Sequence, residues 1–132
     1  MTYALDTNII SYILRRDKKI IKKYEKESDS GAEFNVHPIV YYEVNRGLLS
    51  VNAIAKMKEF DKLCLGFSMG EMNRAVWDEA AKIYADLKNK GRLIEDADIF
   101  IGAYCIINNY ILVTNNSVHF ERIEDLNFIV WK

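Results

Sequence analysis

Asp6 closes the short apolar run Tyr3-Ala4-Leu5 and is followed at once by Thr7, Asn8 and an apolar-rich stretch over 9–14. A strand that stops on an acid where a helix begins puts that acid on the C-terminal edge of a sheet, the edge at which open α/β sheets bind ligands. Comparable junctions carry Glu43, Asp98 and the run Thr114-Asn115-Asn116. Carboxylates converging on one edge supply the hard oxygen donors that Mg²⁺ takes, one or two at a time, with waters and substrate phosphates as the remaining ligands. The chemistry to expect is that of a bound divalent cation.

Each acid taken alone has a plainer explanation. Asp6 is a favoured helix N-cap, and negative charge is stabilised at a helix N-terminus. A Glu on a helix, as Glu43 would be, ordinarily points to solvent. Asp98 sits among Ala97, Ile99, Phe100, Ile101, Gly102 and Ala103, where a carboxylate needs a partner, a cap geometry or a cation. Asp96 competes with it, and spacing alone does not choose between them. Thr114-Asn115-Asn116 is also good turn chemistry. Independent caps and turns have no reason to converge on one sheet edge, whereas a metal site requires that its ligands do.

Other chemistries find less support. His37 and His119 show no zinc spacing with Cys64 or Cys105. Ser11 and Ser117 lack the glycines of a nucleophile elbow, and there is no Gly-rich phosphate loop. A phosphoaspartate at Asp6 would want a second acid two residues on, where Asn8 stands. Eighteen Lys+Arg against 19 Asp+Glu leave a formal charge of −1, so a nucleic-acid partner would have to be held by a local patch. Arg15, Arg16, Lys18, Lys19, Lys22 and Lys23 form the densest basic stretch, with Arg46, Lys90 and Arg92 as further candidates. The cysteines read as reduced core thiols. The longest apolar run, 99–107, falls short of the ~20 residues of a membrane span, so a soluble, cytoplasmic protein is expected.

The elements that must position these residues alternate between strand and helix. At 132 residues and 50% hydrophobic the chain is about one domain long. Strands are predicted at 2–5, 33–37, 64–68, 110–113 and 128–131, and helices at 7–14, 17–27, from Pro38 through Glu43, 52–63, 71–90 and 96–108. Pro38 suits a first helical turn, and Gly91 a helix stop. The pattern implies an α/β fold, a three-layer α/β/α sandwich around a central, mostly parallel twisted sheet.

These motifs together resemble the PIN-domain ribonucleases, and within them the VapC-type toxins of type II toxin–antitoxin pairs. Leu5-Asp6-Thr7-Asn8 is similar to the family's opening motif, Tyr42-Glu43-Val44 to its helix-borne Glu, and Asp98 through Ala103 to its Asp followed by an apolar, small-residue helix. That match selects Asp98 over Asp96. Leu112 through Asn116, then His119-Phe120, Leu126 and Trp131, resembles the C-terminal signature, in which Asn116 stands where Asp is frequent. The change removes one charge and puts a second metal site in doubt.

The resemblance implies a single PIN domain over 1–132 and an Mg²⁺- or Mn²⁺-dependent endoribonuclease. Asp6, Asp98 and Glu43 would be the metal ligands, and with Asn116 the catalytic set. Asn8, Thr114, Arg15 and Arg16 would contact substrate. It further implies an RNA substrate, with transfer RNA as one candidate, a cognate antitoxin and a homodimer. The alternative is a PIN-like module with weakened catalysis that binds RNA or a partner.

Overall fold

The computed structural model describes residues 1–131. Four short strands form one all-parallel sheet: β1 (Thr2–Leu5), β2 (Glu33–Asn35), β3 (Ile111–Val113) and β4 (Phe128–Ile129), in the order β2-β1-β3-β4. The register sets Tyr3 against both Phe34 and Ile111, and Leu5 against Val113. Leu112 lies opposite Phe128. Tyr3, Ala4, Leu5, Leu112 and Val113 are all buried. Because successive side chains point to opposite faces of a sheet, burial at consecutive positions means that helices cover both faces.

The helices fall into two groups that pack mainly among themselves. The first is α1 (Thr7–Leu14), α2 (Lys18–Asp29), α3 (Pro38–Ser50) and α4 (Ile54–Cys64); the second is α5 (Arg74–Asn89), α6 (Asp96–Asn108) and the short α7 (Ser117–Phe120). The expected three-layer sandwich is thus present. The chain leaves β1 to one side to form β2 and returns on the other side as β3. The reversal lies between β1 and β3, and at their C-terminal ends a topological switch point opens the crevice where such sheets bind ligands.

Local chemistry explains where the elements begin and end. The side chain of Asp17 accepts from the Ile20 N–H at the start of α2, and that of Asn73 accepts from Val76 at the start of α5. The α5 helix therefore begins at Arg74 rather than 71. Asn109, with φ 57°, closes α6 in the left-handed conformation, which Asn tolerates better than most residues.

The strand expected at 64–68 is not formed. The N–H groups of Leu65, Gly66 and Phe67 turn back to the carbonyls of Lys62, Leu63 and Cys64, so the end of α4 consumes the bonds a strand would need. Only an isolated bridge between Asn35 and Ser68 remains. The last strand stops at Ile129, and Trp131 instead tucks edge-on against Tyr3 with ring centroids 6.3 Å apart. Both cysteines are free thiols, and among the described residues no helix is long and apolar enough to cross a membrane.

A polar network threads the interior beside β2. The Tyr104 hydroxyl donates to Asn35 Oδ1 at 2.5 Å and accepts from the Gly70 N–H at 3.0 Å, while Asn35 Nδ2 donates to Ser68 Oγ at 2.8 Å. Next to it, His37 Nδ1 caps α3 by accepting from the Ile39 N–H at 2.9 Å, and the ring stands edge-on to Tyr104. That acceptor role requires Nδ1 to be unprotonated, and burial lowers the His37 pKa to about 4. A folded-state pKa below the usual 6.5 means that the unfolded chain binds a proton the native one refuses. The stability His37 contributes is complete above about pH 6.5 and is lost as pH falls through 4, an effect of roughly 3 kcal/mol. His37→Asn keeps a capping acceptor but cannot titrate. Urea unfolding at pH 7 and pH 4 is expected to show wild type losing the larger share of its stability, the gap between the two proteins closing at acid pH.

Candidate functional site

Asp6 follows β1 directly and caps α1, its Oδ1 accepting from the Thr7 N–H at 2.8 Å. Its Oδ2 accepts from the Thr114 hydroxyl at 2.7 Å and from Asn8 Nδ2 at 3.3 Å. The capping and the cleft readings of Asp6 therefore hold together. Thr114, at the end of β3, is fully buried, and its Oγ1 also accepts from the Asn116 N–H at 2.9 Å. Asn8 Oδ1 accepts from the Asn115 N–H at 3.2 Å. The loops that leave the two central strands are stitched together by these bonds across the switch point.

Glu43 comes from the middle of α3. Its Oε1 accepts from the Thr7 hydroxyl at 2.9 Å and its Oε2 lies 3.7 Å from the Arg46 guanidinium. Asp98 lies in the first turn of α6, with Oδ2 2.8 Å from His119 Nδ1. Asn116 Nδ2 lies 3.0 Å from the same ring nitrogen. One nitrogen cannot donate to Asp98 and accept from Asn116 at once. With an Nδ1 proton donated to the Asp98 carboxylate, the Asn116 amide is better satisfied with its oxygen and nitrogen exchanged.

Asp6, Glu43, Asp98 and Asn116 line one open cleft of about 470 Å³, together with Asn8 and Arg15. Glu95 and His119 also face it. Arg16 does not: with φ 61° it turns away from Arg15 and pairs with Glu59 at 3.0 Å, on a separate groove between α1, α2 and α4. Thr114 does not line the cleft itself and is linked to it through its hydrogen bonds with Asp6 and Asn116. Asp96, two residues from Asp98 and hence on another side of α6, lines a surface groove with Trp77 and Phe100. His119 is the site residue that its own sequence context leaves obscure. The available signal was its position three residues after Asn116, one helical turn, which becomes visible once α7 is known to be helical.

Electrostatics give this arrangement its character. Burial pushes the Asp6 pKa up to about 6; hydrogen bonds from Thr114 and Thr7 pull it down, while the charges of Asp98 and Glu43 push it up again. The carboxylates thus repel one another through the cleft. Among the described residues no three acidic, histidine or cysteine side chains close into a ready cage for a metal. An all-oxygen donor set around an open, negatively charged cleft nonetheless suits a hard cation that retains much of its water shell, and such an ion would relieve the repulsion from Asp98 and Glu43 that adds to burial in raising the Asp6 pKa.

The PIN domain family matches residues 3–126. Ribonuclease VapC1 of Haemophilus influenzae (strain R2866) is 29% identical over 99% of this chain and 98% of its own. The fold superposes with a TM-score of 0.87 on a chain of VapBC-1 from nontypeable Haemophilus influenzae, 28% identical over 99% of this chain and 98% of that one. It superposes at 0.91 on a chain of VapBC2 from Rickettsia felis, solved bound to a DNA fragment from the promoter, with 23% identity and both chains fully covered. The resemblance to PIN domains and to VapC proteins is borne out, and the chain belongs to the PIN domain family.

The raised Asp6 pKa has a thermodynamic consequence. Since the folded chain holds a proton that an ordinary aspartate near 3.8 would release, the stability tied to that proton is present at low pH and lost as pH rises through about 6. Ionised Asp6 costs the metal-free protein up to roughly 3 kcal/mol above that pH. In chelator, Asp6→Asn is therefore expected to melt above wild type at pH 8, with the difference vanishing near pH 4. Wild-type melting temperature should rise on adding Mg²⁺ while that of the variant stays put.

Proposed function

We propose that this PIN-domain protein is an Mg²⁺- or Mn²⁺-dependent endoribonuclease and the toxin of a type II toxin–antitoxin pair, the whole chain acting as one PIN domain. The observation that carries the reading is the convergence of Asp6, Glu43 and Asp98, from the β1–α1 junction, α3 and α6, on one cleft at the switch point of the sheet. Asp6 and Asp98 would hold the metal, with Glu43 joining them or positioning water. When bound, the cation lowers the pKa of a coordinated water and offsets charge on the scissile phosphate.

The chain's own groups supply the positioning. The Thr7 N–H and the Thr114 hydroxyl fix both oxygens of Asp6, the Thr7 hydroxyl fixes Glu43, and His119 fixes Asp98. Such partners orient metal ligands, and their loss typically costs about 10–100-fold in affinity or activity. Asn116 offers an amide to ligands or substrate at the cleft wall, and Asn8 lies close enough to meet a phosphate. Arg15 is the cleft's arginine and the natural first contact for the RNA backbone. Attack of water on phosphorus with rupture of the bond to the 3′ oxygen leaves a 5′-phosphate and a 3′-hydroxyl.

An open cleft on the protein surface suits unpaired, accessible RNA such as a loop, transfer RNA loops among them. The matched structures are VapBC complexes, which supports a cognate antitoxin as partner; a homodimer and a cytoplasmic location complete the proposal. A second reading, a PIN-like binding module with weakened catalysis, draws on Asn116 in place of an acid and on the engagement of Glu43 by Arg46 and Thr7.

Purified protein with Mg²⁺ and a structured RNA separates the two. Cleavage is expected to stop in chelator, to fall in Asp98→Asn by more than the 10–100-fold typical of an outer-sphere partner, and to fall within that range in His119→Ala. Cutting that persists in chelator would end the metal mechanism, and RNA binding without cutting in wild type would favour the module.

A further inference from the structure

A second pocket of about 210 Å³ adjoins the acidic cleft and shares Thr7, Ser11, Arg15 and Glu43 with it. Its far wall carries Lys56 from α4 and the apolar side chains of Leu14 and Leu48, and Gly47 forms part of its lining. Arg15 and Lys56 have no carboxylate partner within 4.0 Å among the described residues, whereas Arg16 and Arg46, close by in the chain, do.

Gly47 is a residue the fold does not ask for. It sits inside α3, its φ is not positive, and a Cβ built there would meet nothing within 4 Å. Neither backbone geometry nor close packing requires glycine, and glycine inside a helix is destabilising relative to alanine. A side chain at 47 would enter open space, and Gly47 is one of the residues that line the pocket. Gly47 also stands one turn after Glu43, on the same face of α3, so the helix that sends its acid to the cleft keeps the neighbouring pocket clear.

Resting on the nuclease reading above, we infer that this pocket is a binding site for the RNA nucleotide next to the scissile phosphate, with Gly47 leaving room for it and Arg15 and Lys56 receiving its phosphate. A strand that brings one phosphate to the acidic cleft must place the next somewhere. Here a contiguous recess offers cations for the phosphate and an aliphatic wall for the sugar or base. An acidic protein segment would be drawn by the same cations, but it gains nothing from continuity with a cleft of carboxylates, whereas a strand being cut must pass through both.

The test uses the full chain carrying Asp98→Asn, so that RNA can be bound without being cut, and a fluorescent single-stranded oligoribonucleotide. Gly47→Ala and Gly47→Leu are expected to raise the melting temperature by about 2–4 °C, while Gly47→Leu weakens binding roughly tenfold and Gly47→Ala less. Lys56→Gln is expected to reduce the salt dependence of binding by about 0.7 in the log–log slope, the loss of one single-strand phosphate contact. Unchanged RNA affinity in a folded Gly47→Leu protein, an unchanged salt slope in Lys56→Gln, or no RNA binding by the parent overturns the inference. So does a polyglutamate peptide responding to Gly47 in place of RNA, which would mark the pocket as a protein-docking site. Cleavage by wild type is scored separately. If wild type cuts but the Gly47 and Lys56 effects are missing, the subsite alone falls; if those effects appear without any cutting, the nuclease reading falls and the placement beside a scissile phosphate falls with it, leaving only an RNA-binding pocket.

Discussion

The hydrogen bond from the Thr114 hydroxyl to Asp6 Oδ2 joins residues 108 positions apart and ties the site to the sheet. It exists because β1 and β3 are parallel neighbours in a register that pairs Leu5 with Val113. The next residue of each strand is then Asp6 and Thr114, emerging side by side at the switch point. The Asp6 N–H still donates to the Val113 carbonyl at 3.0 Å, so the ladder ends one residue into the site. Slipping either strand by one residue would turn every side chain to the other face and part the two. The surrounding core of Leu5, Ile9, Ile10, Leu112 and Val113 holds that register.

Sheet and site pull against each other at Asp6. The hydrogen bonds from the Thr114 hydroxyl and the capping Thr7 N–H favour its ionised form, yet burial and the facing acids outweigh them and hold its pKa near 6. A carboxylate whose only task was to cap α1 would gain by being exposed and alone. The same structure instead sends Glu43 and Asp98 toward it from helices on either side. Local rules broken at one place, with compensation elsewhere in the fold, are characteristic of functional sites.

The sequence displayed β1, α1 and α6 clearly because each combines an apolar run with a sharp boundary: Asp6 before α1, and two acids in the first turn of α6. It misled over 64–68, where apolar residues that suit a strand are drawn into the end of α4 by Gly66 and its neighbours, a choice that depends on where backbone bonds go. The adjacent arginines at 15 and 16 read as one basic patch, but the left-handed turn at Arg16 sends them to different surfaces. His119 was visible as a letter and not as a partner, because its link to Asp98 depends on the short α7 docking beside α6. Residue types at element junctions were legible; pairings made by tertiary packing were not.

Glu43 shows how α3 can govern both the acids and what approaches them. Its two oxygens are held by opposite neighbours, the Thr7 hydroxyl of α1 on one side and Arg46 of its own helix on the other. Arg46 in turn lies over the Tyr42 ring at 5.2 Å, on the exposed rim of the helix. A phosphate arriving at the rim would compete with Glu43 for Arg46, and drawing the guanidinium away would leave the Glu43 carboxylate without its counter-charge. On the proposed nuclease reading, with a net charge of only −1, attraction for RNA would come from local cations of this kind. The helix places the acid, its counter-charge and the gap at Gly47 within little more than one turn, so a small shift of α3 against α1 would alter all of them together.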